Sequence, residues 1–144
     1  RAEIQALVVK SSSPQPRRVT NGVDSSRVAM LLAVLERRAG ISLSDKDVYV
    51  STVGGMRIIE PAADLAIAIA IASAVSDKPV STKVAAFGEI SLSGEVRGVA
   101  NLSQRTNEAS RLGHKIIIDS TSGQLKKALT QALAQSDQSQ QVSS

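Results

Sequence analysis

The sequence predicts one α+β domain, on three observations. Its 144 residues are the size of a single domain with a proper hydrophobic core. Short β-rich runs alternate with segments of helical spacing along the chain, the pattern of one mixed domain. One apolar run, residues 61–75, exceeds a typical strand and is too short to cross a bilayer.

Residues 4–9 (Ile-Gln-Ala-Leu-Val-Val) form the first expected strand, closed by the Ser-Ser-Ser-Pro-Gln-Pro loop. A short second strand is expected over residues 17–20, ended by the Asn21-Gly22 turn signal. Asp24 and Ser25 then offer N-caps to a helix with Val28, Leu31, Leu32 and Leu35 at helical spacing. Arg37, Arg38 and Gly40 close it, because cations suit the negative end of the helix dipole and Gly suits the C′ position. The two arginines are read as dipole partners. Residues 48–53 read as a strand, turned by Gly54-Gly55.

The run 61–75 reads as a buried helix. Its large–small alternation from Leu65 to Ala72 nominally fits a strand. However, Pro61 suits a first helical turn, and alanine is the best helix former and a poor strand former. A helix that is apolar all round sits inside. Residues 84–90 then read as one strand, leading into a hairpin about Ser93-Gly94. Asn101 is the expected cap of a helix over residues 102–112, ended by Gly113. Residues 115–119 read as a buried strand, and a helix over residues 124–133 puts Leu125, Leu129 and Leu133 on one stripe. From Ala134 the Gln- and Ser-rich tail has little to bury and is expected to be disordered.

Composition narrows the chemistry. With one Phe, one Tyr and no Trp, the core must be Val, Ile, Leu and Ala, and aromatic base-stacking is removed as a route to single strands. The absence of Cys removes disulfides, zinc–thiolate sites and a Cys nucleophile. His114 is the single histidine, which excludes a His-based metal cluster and argues against a His-dependent triad. No signal peptide is recognisable and the chain begins with Arg1, so a fragment of a larger cytosolic protein is expected. The formal charge of +4 serves solubility or, where cations cluster, phosphate binding. Gly54-Gly55 precedes a helix, yet no P-loop pattern accompanies it.

Glu60 and Asp64 lie four apart at the start of the buried helix, so both can face one way. They read as complements of the positive helix end or as paired catalytic carboxylates. A serine nucleophile needs a base. Lys83 and several serines leave a Ser–Lys dyad open, though none lies in a recognisable setting.

Several blocks resemble the C-terminal domain of the bacterial RadA (Sms) family. These are Glu60-Pro61-Ala62-Ala63-Asp64-Leu65-Ala66, preceded by Asp47-Val48-Tyr49-Val50 and Gly54-Gly55-Met56-Arg57-Ile58, then Gly88-Glu89-Ile90 to Gly94-Glu95-Val96-Arg97, and Arg105 to Gly113. The resemblance covers residues 3–133. It implies a RecA-like, DNA-dependent ATPase of DNA repair and recombination, whose last domain is similar to the Lon protease proteolytic domain. It therefore implies a Lon-like α/β sandwich over residues 1–133 with a tail at 134–144. The motor and zinc finger would lie N-terminal to Arg1, so ATP, magnesium and zinc are expected in those domains and no cofactor or metal in this chain. DNA, a homo-hexamer of the full-length protein, a bacterial cytoplasm and no membrane are implied alongside.

The Lon family carries its nucleophile in Gly-Pro-Ser-Ala-Gly. Here those positions read Glu60-Pro61-Ala62-Ala63-Asp64, so Ala62 stands at the serine. Lon's lysine lies in Gly-Gly-Leu-Lys-Glu-Lys, and here Ala100-Asn101-Leu102-Ser103-Gln104-Arg105 puts Arg105 in its place. The 43-residue separation of the two positions is preserved. A methyl group cannot attack a carbonyl, and Arg stays charged where a base must lose its proton. The comparison thus implies an inactive peptidase site, with Arg105 expected to pair with Glu60 or Asp64.

What is left is a non-catalytic scaffold and DNA-binding domain. The alternatives are oligomerisation alone, with DNA handled by the motor, or a peptidase using an unrecognised serine. Candidate DNA-facing cations are Arg17, Arg18, Arg57, Lys78, Lys83, Arg97, Arg105, Arg111 and Lys115. Without aromatics or a reading helix, contact would be to phosphates and insensitive to sequence.

Overall fold

The computed structural model describes residues 3–134. Three strands form the main sheet: β1 (Ile4–Lys10), β2 (Arg18–Asn21) and β3 (Lys46–Thr52), in the order β1-β3-β2. β1 runs antiparallel to β3, with Leu7 opposite Tyr49, and β2 runs parallel to it, with Val19 opposite Tyr49. The period of two sorts the side chains. Ile4, Ala6 and Val8 of β1 pack on the core with Val48 and Val50 of β3, while Leu7, Val9 and Val19 are exposed.

Helix α1 (Ser25–Ala39) forms where its caps place it. The Asp24 carboxylate accepts from the Ser26 amide and hydroxyl, and Gly40 leaves the helix in the left-handed region at φ 70°. Its Val28, Leu31, Leu32 and Leu35 are buried, as the spacing predicts. After a 3-10 turn at Pro61–Ala63, helix α2 (Asp64–Ser76) runs through the centre, packed by α1, by the core face of β1 and β3, and by the last helix. Leu65, Ala68 and Ile71 are wholly buried, each large aliphatic contributing about 1.5–3 kcal/mol. The burial is not uniform. Ala66, Ala70, Ser73 and Ala74 are half-buried and line an open groove of about 880 Å³ against β1.

The remaining strands are β4 (Val84–Ala86), β5 (Glu89–Ile90), β6 (Val96–Arg97) and β7 (Ile116–Ile118). β4 pairs parallel to β7, and β5 and β6 form the expected hairpin, with Gly94 at φ 85° in its turn. Helix α3 (Leu102–Arg111) precedes β7. Helix α4 (Leu125–Ala134) closes the core with buried Leu125, Ala128, Leu129 and Ala132. The α+β class is as predicted.

Four expectations change. The strand expected over residues 84–90 is two strands in two sheets, broken at Phe87-Gly88. The break exists because Gly88 leaves the sheet to bond the start of α2. Its N–H donates to the Ala62 carbonyl at 3.0 Å and its own carbonyl accepts from Leu65 at 3.0 Å. Asn101 does not cap α3 through its side chain; it sits in the left-handed region at φ 59°, which Asn tolerates. In β7 only Ile118 is fully buried, since its sheet has two strands. Ala134 belongs to α4, and the rest of the predicted tail lies outside the described residues.

Candidate functional site

The start of α2 is built from both sides. Pro61 opens the 3-10 turn, for which it lacks no needed donor, and Ala63 N–H bonds the Glu60 carbonyl at 3.1 Å. Gly88 then straps Ala62 and Leu65 from the β4–β5 side. A Cβ at Gly88 would come within 2.6 Å of Val96 Cγ1, so glycine is needed for the approach. Ala62 is thereby buried at the floor of a cavity of about 330 Å³, lined also by Ala63, Ala66, Phe87 and Ala109. Glu60, Gln104, Arg105 and Glu108 complete the lining. The volume is at the small end for a ligand pocket.

Arg105 comes from the first turn of α3, where its Nε donates to the Ala100 carbonyl at 2.9 Å. Its two terminal nitrogens grip Glu60, at 3.3 Å to Oε1 and 3.0 Å to Oε2. The pair is half open to water, with the Glu60 side chain 54% exposed. Hydrogen bonding from Arg105 holds the Glu60 carboxyl below its ordinary value, against a smaller opposing effect of burial. The same bond raises the Arg105 guanidinium above its own. The expected pairing of Arg105 with Glu60 is present.

Asp64 does something else. Fully buried, it accepts from Arg27 Nε at 2.6 Å, from Arg27 Nη2 at 2.5 Å and from the Ile90 amide at 3.0 Å. Arg27 also lies 3.5 Å from Glu89. The hydrogen bond to Asp64 is the main cause that raises the Arg27 guanidinium, opposed by burial. Glu60 and Asp64 therefore do not act as a facing pair, because the 3-10 turn between them sends one to solvent and the other inward. Arg27 was missed from the sequence. Its signal was its position: a cation in the first turn of α1 opposes the helix dipole, which a buried acid elsewhere accounts for.

The nine candidate cations are dispersed, and several are engaged. Arg105 is held by Glu60, and Arg111 pairs with Glu108 at 2.9 Å. Arg18 donates to the carbonyls of Lys46 and, at 2.9 Å, Leu43, which pins β2 to the turn before β3. The Arg17 amide donates to Asp47 Oδ1 at 2.7 Å, with its side chain exposed. Arg57, Lys78 and Arg97 are exposed at separate places along the chain. Lys83 and Lys115 are brought together: they precede Val84 and Ile116, which are partners in the β4–β7 pair, and Ile116 N–H bonds the Lys83 carbonyl. Ser81, beside Lys83, is buried and its hydroxyl accepts from the Lys83 amide at 3.1 Å. Among the described residues no group of three or more His, Asp or Glu is placed to hold a metal ion.

Against known proteins, residues 25–122 match the family model described as subunit ChlI of Mg-chelatase. DNA repair protein RadA of Streptococcus pyogenes is 47% identical over 112 residues, which is 78% of this chain and 25% of the relative. The proteins of the same name from Halalkalibacterium halodurans and Bacillus subtilis are each 47% identical over 116 residues, 81% of this chain and 25% of the relative. The resemblance seen in the Glu60–Asp64 and Gly88–Arg97 blocks is thus one of homology. The chain spans about a quarter of the length of these curated relatives.

Proposed function

We propose, from the premise that this chain belongs to the family whose model is described as subunit ChlI of Mg-chelatase, that it is a non-catalytic domain acting in DNA repair. It serves a longer RadA-like protein as a scaffold for assembly and as a surface for DNA phosphates. One observation carries the non-catalytic part. In the small cavity Ala62 offers only a methyl group, and the cation that lines the cavity with it is an arginine already clamped by Glu60. Acyl transfer needs a nucleophile and a group that can take its proton. Arg105 keeps its proton at every working pH.

The DNA part is supported by the name that the homologues carry and by a net charge of +4. A Lon-like fold is proposed for residues 1–133 of this chain, and a RecA-like ATPase motor and a homo-hexameric ring are proposed for the longer protein. Contact is to phosphates, since the chain has one Tyr, one Phe and no Trp to stack on bases. The test is duplex binding by this chain across a salt series. Binding that weakens steeply as salt rises, alike for unrelated sequences, supports the reading. No binding at low salt leaves assembly alone.

The assembly-only reading has its own support. Arg105 and Arg111 are spent on carboxylates and Arg18 on backbone carbonyls, so three of the nine cations are engaged within the fold. Light scattering of this chain, alone and joined to the longer protein's motor, tests the assembly that both readings share, and the salt series decides whether DNA binding accompanies it.

A further inference from the structure

The cations best placed for a polyanion are four others. Arg37 and Arg38 end α1, and Lys126 and Lys127 lie in the first turn of α4. The β5–β6 hairpin joins these two ends. A Cβ at Gly94 would lie 2.9 Å from Arg38 Cβ, and the Gly94 carbonyl accepts from the Leu125 amide at 2.7 Å. Arg38 Nε also donates to the Leu92 carbonyl at 3.3 Å, which fixes its stem along the turn. All four side chains are exposed, and none is in an ion pair among the described residues.

Two carboxylates border the patch, and both are already bonded. Glu36 accepts from the Leu43 amide at 2.9 Å, and Glu95 accepts from the Ser93 hydroxyl at 3.2 Å. Arg37 and Arg38 suit the negative end of α1, so that pair has a local reason to be there. Lys126 and Lys127 have none, because cations at the start of a helix oppose its dipole. Packing brings the end of α1 and the start of α4, nearly ninety residues apart in sequence, to one turn, with Arg38 against Gly94 and the Leu125 amide bonded to it. A chain of phosphates is the complement of exposed cations that no carboxylate neutralises.

We propose that Arg37, Arg38, Lys126 and Lys127, gathered by the β5–β6 hairpin, form the surface on which this domain holds a nucleic-acid phosphate backbone. The inference rests on the DNA-binding reading above and names its place.

The test measures binding of a labelled random-sequence duplex by anisotropy from about 50 to 200 mM salt. It compares the wild-type chain with Arg37→Gln/Arg38→Gln, with Lys126→Gln/Lys127→Gln and with Lys83→Gln/Lys115→Gln. The first two variants each lower affinity and flatten the log–log salt slope by about 2, roughly one for each phosphate no longer neutralised. The Lys83/Lys115 variant, which removes the rival pair, loses less affinity than either of the first two. Arg37→Lys/Arg38→Lys restores the slope, which separates the effect of charge from damaged packing. If wild type binds and only the Lys83/Lys115 variant weakens, the patch is wrong and the DNA reading stands. If wild type binds anionic phospholipid vesicles but no duplex at 50 mM salt, both fall.

Discussion

Two arginine–carboxylate pairs flank the start of α2, and they differ in what removing them would do. Arg27–Asp64 has a carboxylate wholly out of water, three donors on it, and ties to α1, α2 and β5 at once. Arg105–Glu60 joins α3 to the turn before α2 with a carboxylate more than half exposed. Charges near water lose most of their mutual energy to solvent, whereas a buried charge left without its partner has no substitute. The inner pair belongs to the fold. The outer pair occupies the cavity mouth without holding the fold together.

Breaking the inner pair gives the largest expected effect, and the two ends are unequal. Arg27→Ala strands Asp64 in the interior with only the Ile90 amide, and should cost about 3–5 kcal/mol in urea unfolding. Asp64→Ala should cost less, because Arg27 reaches water and Glu89. Equal losses from the two substitutions would mean that leaving the Asp64 carboxylate unpaired carries no extra cost.

Next in size is the strap that presents Ala62. Gly88→Ala drives a methyl into Val96 Cγ1, and should cost about 1–3 kcal/mol by the same assay. A neutral result would show that the strap is loose and that Ala62 is not held in place by it.

The outer pair should be nearly silent. Glu60→Gln and Arg105→Ala are each expected within about 1 kcal/mol of wild type at neutral pH. The sign with pH follows from the lowered folded value of Glu60. The unfolded carboxyl, near 4.5, binds a proton first as pH falls, so the pair's contribution is present above that value. It is lost as pH falls through the lower folded value. The small gap between wild type and Glu60→Gln should therefore close in acid. A gap that widens in acid would contradict the assignment.

Much of this frame was legible in the sequence. Asp24 and Gly40 mark the ends of α1, and Pro61 with its alanines marks α2 against the strand-like alternation. Residues 84–90 were not legible as two strands. Val-Ala-Ala-Phe carries a strand pattern, and only the long-range need to bond Ala62 and Leu65 breaks it at Gly88. Arg105 with Glu60 was reachable from the Lon-family spacing. The partner of Asp64 was not, since Arg27 is 37 residues away in a helix whose own pattern is already satisfied. The end of α1 at Arg38 and the start of α4 at Leu125 likewise share the Gly94 turn only through tertiary packing.

The central proposal is that this site offers a frame with no group able to carry out acyl transfer. The most direct measurement is the Ala62→Ser variant treated with a fluorophosphonate probe and assayed for casein turnover. It should show neither acylation of the new serine nor peptidase activity, because Arg105 cannot take the proton. Labelling of Ser at position 62, or casein turnover above wild type, would contradict the claim.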